Sequence, residues 1–303
     1  MPNFPRLRGM IAATFTPMTE TGDINYAEIK PYADYIASTA IDGVFVNGTT
    51  GEFSSLTVEE RKKILECWIT AAAGRFKVIC HAGSNCQRDS IEIAAHAASI
   101  GAYGIGCIAP SFFKPATVND LIGFFAPIAD AAPELPFYYY NMPSITGVNL
   151  PVDRILAEGR KIIPNLAGTK FTHNNLMEME MCIDLDEGAF EVLHGYDEIL
   201  IAGLSMGAKA GVGSTYNYIP EIYDGIFRAM EDGDLTTARE LQKKSIKTVE
   251  VIIRYGGGVR GGKAIMNLIG IKCGECRPPL SPLAQEEYAA LEADLDALGF
   301  VKK

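Results

Sequence analysis

Short apolar runs alternate along the chain with longer stretches in which apolar residues recur every three or four positions. The short runs lie at residues 11–15, 43–46, 78–81, 104–108, 137–141, 166–170, 191–194 and 210–214. Several are apolar without alternation, the pattern of parallel strands covered on both faces. The stretches between them, such as 61–73 and 89–100, have helical spacing. Asn25-Tyr-Ala-Glu28 and Thr57-Val-Glu-Glu60 read as capping boxes, in which the first side chain caps an amide and the Glu reaches back. Strand starts recur about every 20–35 residues, the length of a βα unit. Eight such units predict an α/β fold, a closed (β/α)8 TIM barrel rather than an open doubly wound sheet.

After the eighth run the rhythm changes. Residues 221–230, 235–254, 263–271 and 283–298 read helical with no strand between them. The expected organisation is a catalytic barrel over 1–232 and a C-terminal helical appendage over 233–303, packed on the barrel.

Composition narrows the function classes. The chain has 303 residues, 48% of them hydrophobic, enough for one large core. A net charge of −10 disfavours nucleic acid and anionic membranes as partners, and leaves an anionic substrate to be held by local donors. No run approaches about 18 apolar residues, so no membrane span is expected. Residues 1–10 carry Arg6 and Arg8 but no apolar segment of a signal peptide. Seven scattered cysteines fit reduced thiols in a cytoplasmic protein better than a disulfide framework.

Barrel active sites gather at the C-terminal ends of the strands. The second run is followed by Gly48-Thr49-Thr50-Gly51-Glu52, and the fifth closes on Tyr138-Tyr139-Tyr140-Asn141-Met142-Pro143. The sixth closes on Gly168-Thr169-Lys170-Phe171-Thr172. His194-Gly195-Tyr196-Asp197-Glu198 follows the seventh, and Gly213-Ser214-Thr215-Tyr216-Asn217 the eighth. Lys170 is the sharpest of these. An amine at the end of an apolar strand, aimed into a barrel, is shielded from water, and in its neutral form it attacks a ketone to give an imine. A strand-end lysine reaching solvent is the plainer reading of the residue alone. Thr49 and Thr50, between two glycines, offer hydroxyls and amides to a carboxylate; a plain turn before a helix has the same composition. Alternation puts Tyr138 and Tyr140 on one face and Tyr139 on the other, and a phenol beside an imine can move a proton. Asp197 and Glu198 can accept hydrogen bonds from sugar hydroxyls or favour the start of a helix. Ser214 is a cap or a ligand contact.

Taken together, from about residue 8 to about residue 283, the chain resembles the N-acetylneuraminate lyase and dihydrodipicolinate synthase superfamily. The resemblance is carried by Thr49-Thr50-Gly51-Glu52, by Tyr140-Asn141-Met142-Pro143 running on to Thr146-Gly147, and by Gly168-Thr169-Lys170-Phe171-Thr172. It implies reversible retro-aldol cleavage of N-acetylneuraminate to N-acetylmannosamine and pyruvate. Lys170, Tyr140 and Thr49 form the implied catalytic set. Thr49 and Thr50 hold the substrate carboxylate, while Thr172, Gly195, Asp197, Glu198, Gly213 and Ser214 line the sugar site. No metal or other cofactor is implied, because the imine is the electron sink, and the implied assembly is a homotetramer. Ile145 stands where the synthases carry an arginine for a second carboxylate, which favours the lyases. Phe112 and Phe113 stand where many relatives supply a tyrosine from a neighbouring subunit, so a proton relay through that hydroxyl is not expected here.

Other readings remain. A related aldolase acting on another 2-keto-3-deoxy acid fits the imine machinery equally, and a synthase-like enzyme fits less well. His81, His173 and His194 near strand ends could hold Zn²⁺ in a metal-dependent aldolase, which leaves Lys170 without a task. Gly257-Gly-Val-Arg-Gly-Gly-Lys263 mimics a phosphate loop, but Ala264 replaces the hydroxyl residue that ligates Mg²⁺ and the segment follows a helix. Cys273 and Cys276 have a redox spacing without a redox context. A non-catalytic barrel would have no need of both Lys170 and Tyr140.

Overall fold

The computed structural model describes residues 4–300. Its strands are β1 (Gly9–Ala13), β2 (Ile41–Val46), β3 (Lys77–His81), β4 (Gly104–Ile108), β5 (Phe137–Asn141), β6 (Leu166–Phe171), β7 (Glu191–His194) and β8 (Ala210–Gly213). They form one closed barrel in chain order. The α-helices are α1 (Ile29–Ala37), α2 (Val58–Ala72), α3 (Gln87–Ser99), α4 (Val118–Asp130), α5 (Pro143–Thr146) and α6 (Val152–Gly159). They continue as α7 (Leu176–Asp184), α8 (Leu200–Ser205), α9 (Pro220–Glu231), α10 (Leu235–Arg254), α11 (Gly257–Leu268) and α12 (Gln285–Ala297). The expected (β/α)8 architecture and its C-terminal helices are therefore present.

Strands β4, β5 and β6 are buried at every residue, as continuous apolar strands must be when both faces are covered. Strand β1 starts and ends two residues before the expected 11–15. Thr14 N still donates to Phe45 O at 3.2 Å, but Phe15 is buried outside the strand. Its apolar character marks the core, not the ladder. Strand β8 stops at Gly213, and Ser214 stands at the N-cap position of the 3-10 turn Thr215–Asn217, without a side-chain cap bond, instead of ending the strand.

The chain divides into two compact units. One joins residues 4–9 to Lys77–Val212. Within it Phe125 of α4 lies 5.5 Å, ring to ring, from both Phe137 and Tyr139 of β5, and α4 packs on α3 and α6. The other joins Met10–Phe76 to residues 213–300. There Trp68 of α2 meets Tyr32 of α1 edge-on at 5.0 Å, and α10 packs on α9 and α11.

One of the two expected capping boxes forms. Thr57 N donates to Glu60 Oε2 at 2.9 Å and Glu60 N to Thr57 Oγ1 at 3.2 Å, which starts α2. Asn25 makes no such bond. The chain enters a 3-10 turn, Tyr26–Glu28, and Glu28 Oε1 accepts from Lys272 N at 2.9 Å. The glutamate needed to complete the box is engaged elsewhere.

The glycine-rich run 257–262 is the first half of α11, not a loop. Glycine is a poor helix former, but here packing overrides propensity. A Cβ on Gly262 would lie 2.7 Å from the Phe15 ring, and one on Gly261 would lie 3.0 Å from Ile252 O. Gly261 and Gly262 admit close neighbours. All seven cysteines are free thiols. Among the described residues, no helix is long and apolar enough to cross a membrane.

Candidate active site

In the unit that carries β3 to β7, parallel pairing sets Tyr140 opposite Lys170, and opposite residues share a face of the sheet. Lys170 is 5% exposed, and its Nζ lies over the Tyr140 ring, 4.1 Å from the centroid. A cation over an aromatic face is attracted by the ring quadrupole. His81, at the end of β3, meets the same ring edge-on, centroids 5.8 Å apart and planes at 85°. The Tyr140 hydroxyl donates to Met142 Sδ at 3.1 Å. The ring is thus held from its edge, its hydroxyl and its face.

The neighbouring tyrosines have other tasks. Tyr138 donates its hydroxyl to Glu191 Oε1 at 3.1 Å. Burial, then the charge of Glu191, pushes that phenol well above its ordinary value. Tyr139 faces the other way, packs on Phe125 and donates to Asn141 Oδ1 at 3.3 Å. It is the packing aromatic of the three.

Beyond β6, Thr172 N donates to Asn141 O at 2.8 Å, and Gly195 N to Phe171 O at 2.9 Å. The Thr172 hydroxyl is buried and has no hydrogen-bond partner, which leaves it able to take one. Gly195 stands so close that a side chain there would run into that hydroxyl. Asp197 is buried and Glu198 partly exposed, both in the 3-10 turn Asp197–Ile199. The approach to that turn is held by His194, whose Nε2 lies 2.9 Å from Tyr196 O. Burial holds the His194 imidazole down at about 4, so the ring is neutral near pH 7 and donates one proton to that carbonyl.

In the other unit, the turn after β2 is closed by Glu52 N donating to Thr49 O at 3.0 Å and Phe53 N to Gly48 O at 3.3 Å. Thr16 Oγ1 donates to Gly51 O at 2.8 Å. Thr50 is buried and Thr49 half-buried. Glu52 Oε1 accepts from Lys263 Nζ at 2.8 Å, with both side chains almost fully buried. Gly213 ends β8, and the Ser214 carbonyl accepts from Asn217 Nδ2 at 2.8 Å.

The remaining candidates are placed as follows. His81 and His194 are engaged as described, and among the described residues no group of three His, Cys, Asp or Glu could hold a metal ion. Phe112 and Phe113 are 78% and 86% exposed and stack edge-on, centroids 5.0 Å apart. Their loop is pinned by Asn85 Oδ1, which accepts from Ser111 N at 2.8 Å and Phe112 N at 3.1 Å. Ile145 is exposed on α5.

The structure thus brings Lys170 to Tyr140, and Thr172 to Gly195. It adds three residues whose parts were not read from the sequence. His81 and His194 were visible only as possible metal ligands, and Lys263 only as the end of a false phosphate loop. The one signal for Lys263 was Glu52 itself, a charged residue in a turn between apolar elements that needs a cation once buried.

Known proteins are similar to this chain in sequence and in fold. A mouse (Mus musculus) protein named N-acetylneuraminate lyase is 43% identical over 304 residues, covering 98% of this chain and 95% of its own. The structure of Proteus mirabilis N-acetylneuraminate lyase superposes with a TM-score of 0.95 at 37% identity, covering 98% of this chain and all of the other. That of dihydrodipicolinate synthase from Aquifex aeolicus superposes with a TM-score of 0.90 at 28% identity, covering 98% of this chain and all of the other. The model of the dihydrodipicolinate synthetase family matches residues 6–298, and the chain belongs to that family.

Proposed function

We propose that this protein is a class I, Schiff-base aldolase, a carbon–carbon lyase that reversibly cleaves N-acetylneuraminate to N-acetylmannosamine and pyruvate. The observation that carries the reading is Lys170, a buried amine at the end of β6 with its Nζ over the Tyr140 ring. The Lys170 amine adds to the keto carbon and expels water, giving an imine. As the bond to the sugar carbon breaks, its electron pair passes into the protonated imine and leaves the enamine of pyruvate. The hydroxyl on the departing carbon loses its proton and becomes the aldehyde of N-acetylmannosamine. The enamine takes up a proton, and water then releases pyruvate from Lys170. The Tyr140 face stabilises the cationic imine, and its hydroxyl is the assigned proton carrier.

Thr49 and Thr50 are assigned to the substrate carboxylate, with Thr49 also in the catalytic set. Thr172, Gly195, Asp197, Glu198, Gly213 and Ser214 are assigned to the sugar. The buried Thr172 hydroxyl without a partner supports this, as does identity of 43% and 37% to the mouse and Proteus mirabilis proteins named N-acetylneuraminate lyase, against 28% to the Aquifex aeolicus synthase. Ile145 in place of a carboxylate-binding arginine points the same way. The electron sink is the imine, so no metal or other cofactor is assigned. A cytoplasmic homotetramer is the assigned state, with the exposed Phe112 and Phe113 in place of a relay tyrosine. The test is pyruvate release from N-acetylneuraminate in the presence of a chelator. Equimolar pyruvate and N-acetylmannosamine are expected. No release, with pyruvate still trapped on Lys170 by borohydride, would move the substrate to another 2-keto-3-deoxy acid.

A further inference from the structure

Glu52 closes the Thr49–Thr50 turn with a left-handed backbone, φ 58°. A residue with a side chain adopts that conformation at a cost, and glycine takes it freely. The Glu52 side chain must therefore supply something a glycine would not. Its Oε1 accepts from Lys263 Nζ at 2.8 Å, and its Oε2 accepts from Arg277 N at 3.0 Å. Lys263 Nζ donates again to Glu275 O at 2.8 Å. The two side chains are only 1% and 2% exposed. The Cys276 thiol also faces Glu52; burial, then the Glu52 charge, pushes it up to about 12, so it remains a neutral thiol.

A buried ion pair is a weak source of stability, because an apolar pair of similar volume can stabilise as well or better. What such a pair supplies is a defined position. Here that position is the turn itself. The Glu52 amide donates to Thr49 O while its carboxylate is bonded to Lys263, 211 residues away in the chain. Arg277, whose amide donates to Glu52, also grips the start of α2 through two bonds to Glu60, at 2.9 and 2.6 Å. The turn is fixed at both its exits.

We propose that Glu52 and Lys263 are positioning residues for the carboxylate of the substrate: their buried pair sets the Thr49–Thr50 turn, and neither touches the substrate. The proposal rests on the reading of that turn as the carboxylate holder.

The main variant is Glu52→Gln with Lys263→Met, which removes both charges and nearly keeps volume, so no buried charge is orphaned. Lys170 imines are trapped with borohydride and weighed by mass spectrometry, over a range of pyruvate and, separately, of acetone, a ketone without a carboxylate. The expected result is a folded protein whose half-trapping pyruvate concentration rises about tenfold or more. Trapping at saturating pyruvate and the acetone curve stay as in the wild type. A pyruvate curve within twofold of wild type, or equal weakening for both ketones, overturns the proposal. If circular dichroism shows the double variant unfolded, Glu52→Asp decides. It keeps the charge and shortens the reach, and the same pyruvate-only defect is expected; its absence overturns the proposal. A wild-type protein that traps no pyruvate overturns the aldolase reading instead.

Discussion

The two groups of candidate residues, one in each compact unit, are held by different means. Lys170 and Tyr140 stand on paired strands, where the backbone ladder of β5 and β6 sets their places. Thr49 and Thr50 stand on a turn whose closing residue is gripped by side chain and backbone from beyond residue 260. A ladder is made by groups that every residue carries, so it tolerates replacement of the side chains around it. A turn whose closing residue is anchored through a buried ion pair depends, beyond its backbone bonds, on two particular side chains. The amine proposed as catalytic therefore has a robust support, and the turn proposed to hold the carboxylate a brittle one.

The largest expected effect breaks the robust half at its chemistry and not at its support. Lys170→Ala should lower cleavage by about 10⁴-fold or more and abolish borohydride trapping, with the fold intact by circular dichroism. Near-normal turnover would remove the imine from the mechanism. Next is the brittle half. Lys263→Met alone leaves the Glu52 carboxylate buried without its cation, which should cost about 3–5 kcal/mol in a denaturant titration; replacing both partners should recover most of it.

The third effect is a dependence on pH. His194 takes a proton near pH 6.5 when unfolded, but in the folded protein only near pH 4, because burial opposes its charge. Its contribution to stability is complete above about pH 6.5 and declines as pH falls, by about 3 kcal/mol at pH 4. The difference in stability between wild type and His194→Gln, measured across that range, should show this slope. Parallel curves would mean that His194 titrates normally. A smaller effect separates the sugar side from the imine. Asp197→Ala should weaken sugar turnover about 10- to 100-fold and leave pyruvate trapping intact; equal loss of both would make Asp197 structural. The smallest concerns the exit of the turn. Thr57→Ala should cost about 1 kcal/mol through loss of its cap, whereas Asn25→Ala, at a position without a side-chain cap, should cost less than about 0.5 kcal/mol.

The same division separates what was legible in the sequence from what was not. Periodicity reports burial, so all eight strands and the length of α10 could be read, and Lys170 with them. The limits of β1 could not, because Phe15 is as buried outside the ladder as its neighbours are within it. The Thr57 box was legible because both partners lie within one helical turn. The Asn25 box failed because Glu28 bonds to Lys272, 244 residues away. The part played by Lys263 was hidden for the same reason. Its neighbours in sequence are glycines that look like a phosphate loop, and its partner is a distant turn. The family resemblance located the threonines but assigned no work to the glutamate that follows them.

The length of the loop closed by Glu52 and Lys263 also bears on how the protein is made. A ribosome adding about 5–20 residues per second needs some 10–40 s to travel the 211 residues between them. Throughout that interval β2 and its turn have been synthesised while the lysine has not. The nascent chain must carry an acidic turn without its counter-ion until Lys263 is made, so the turn proposed to hold the carboxylate settles only after that, however early its strands form.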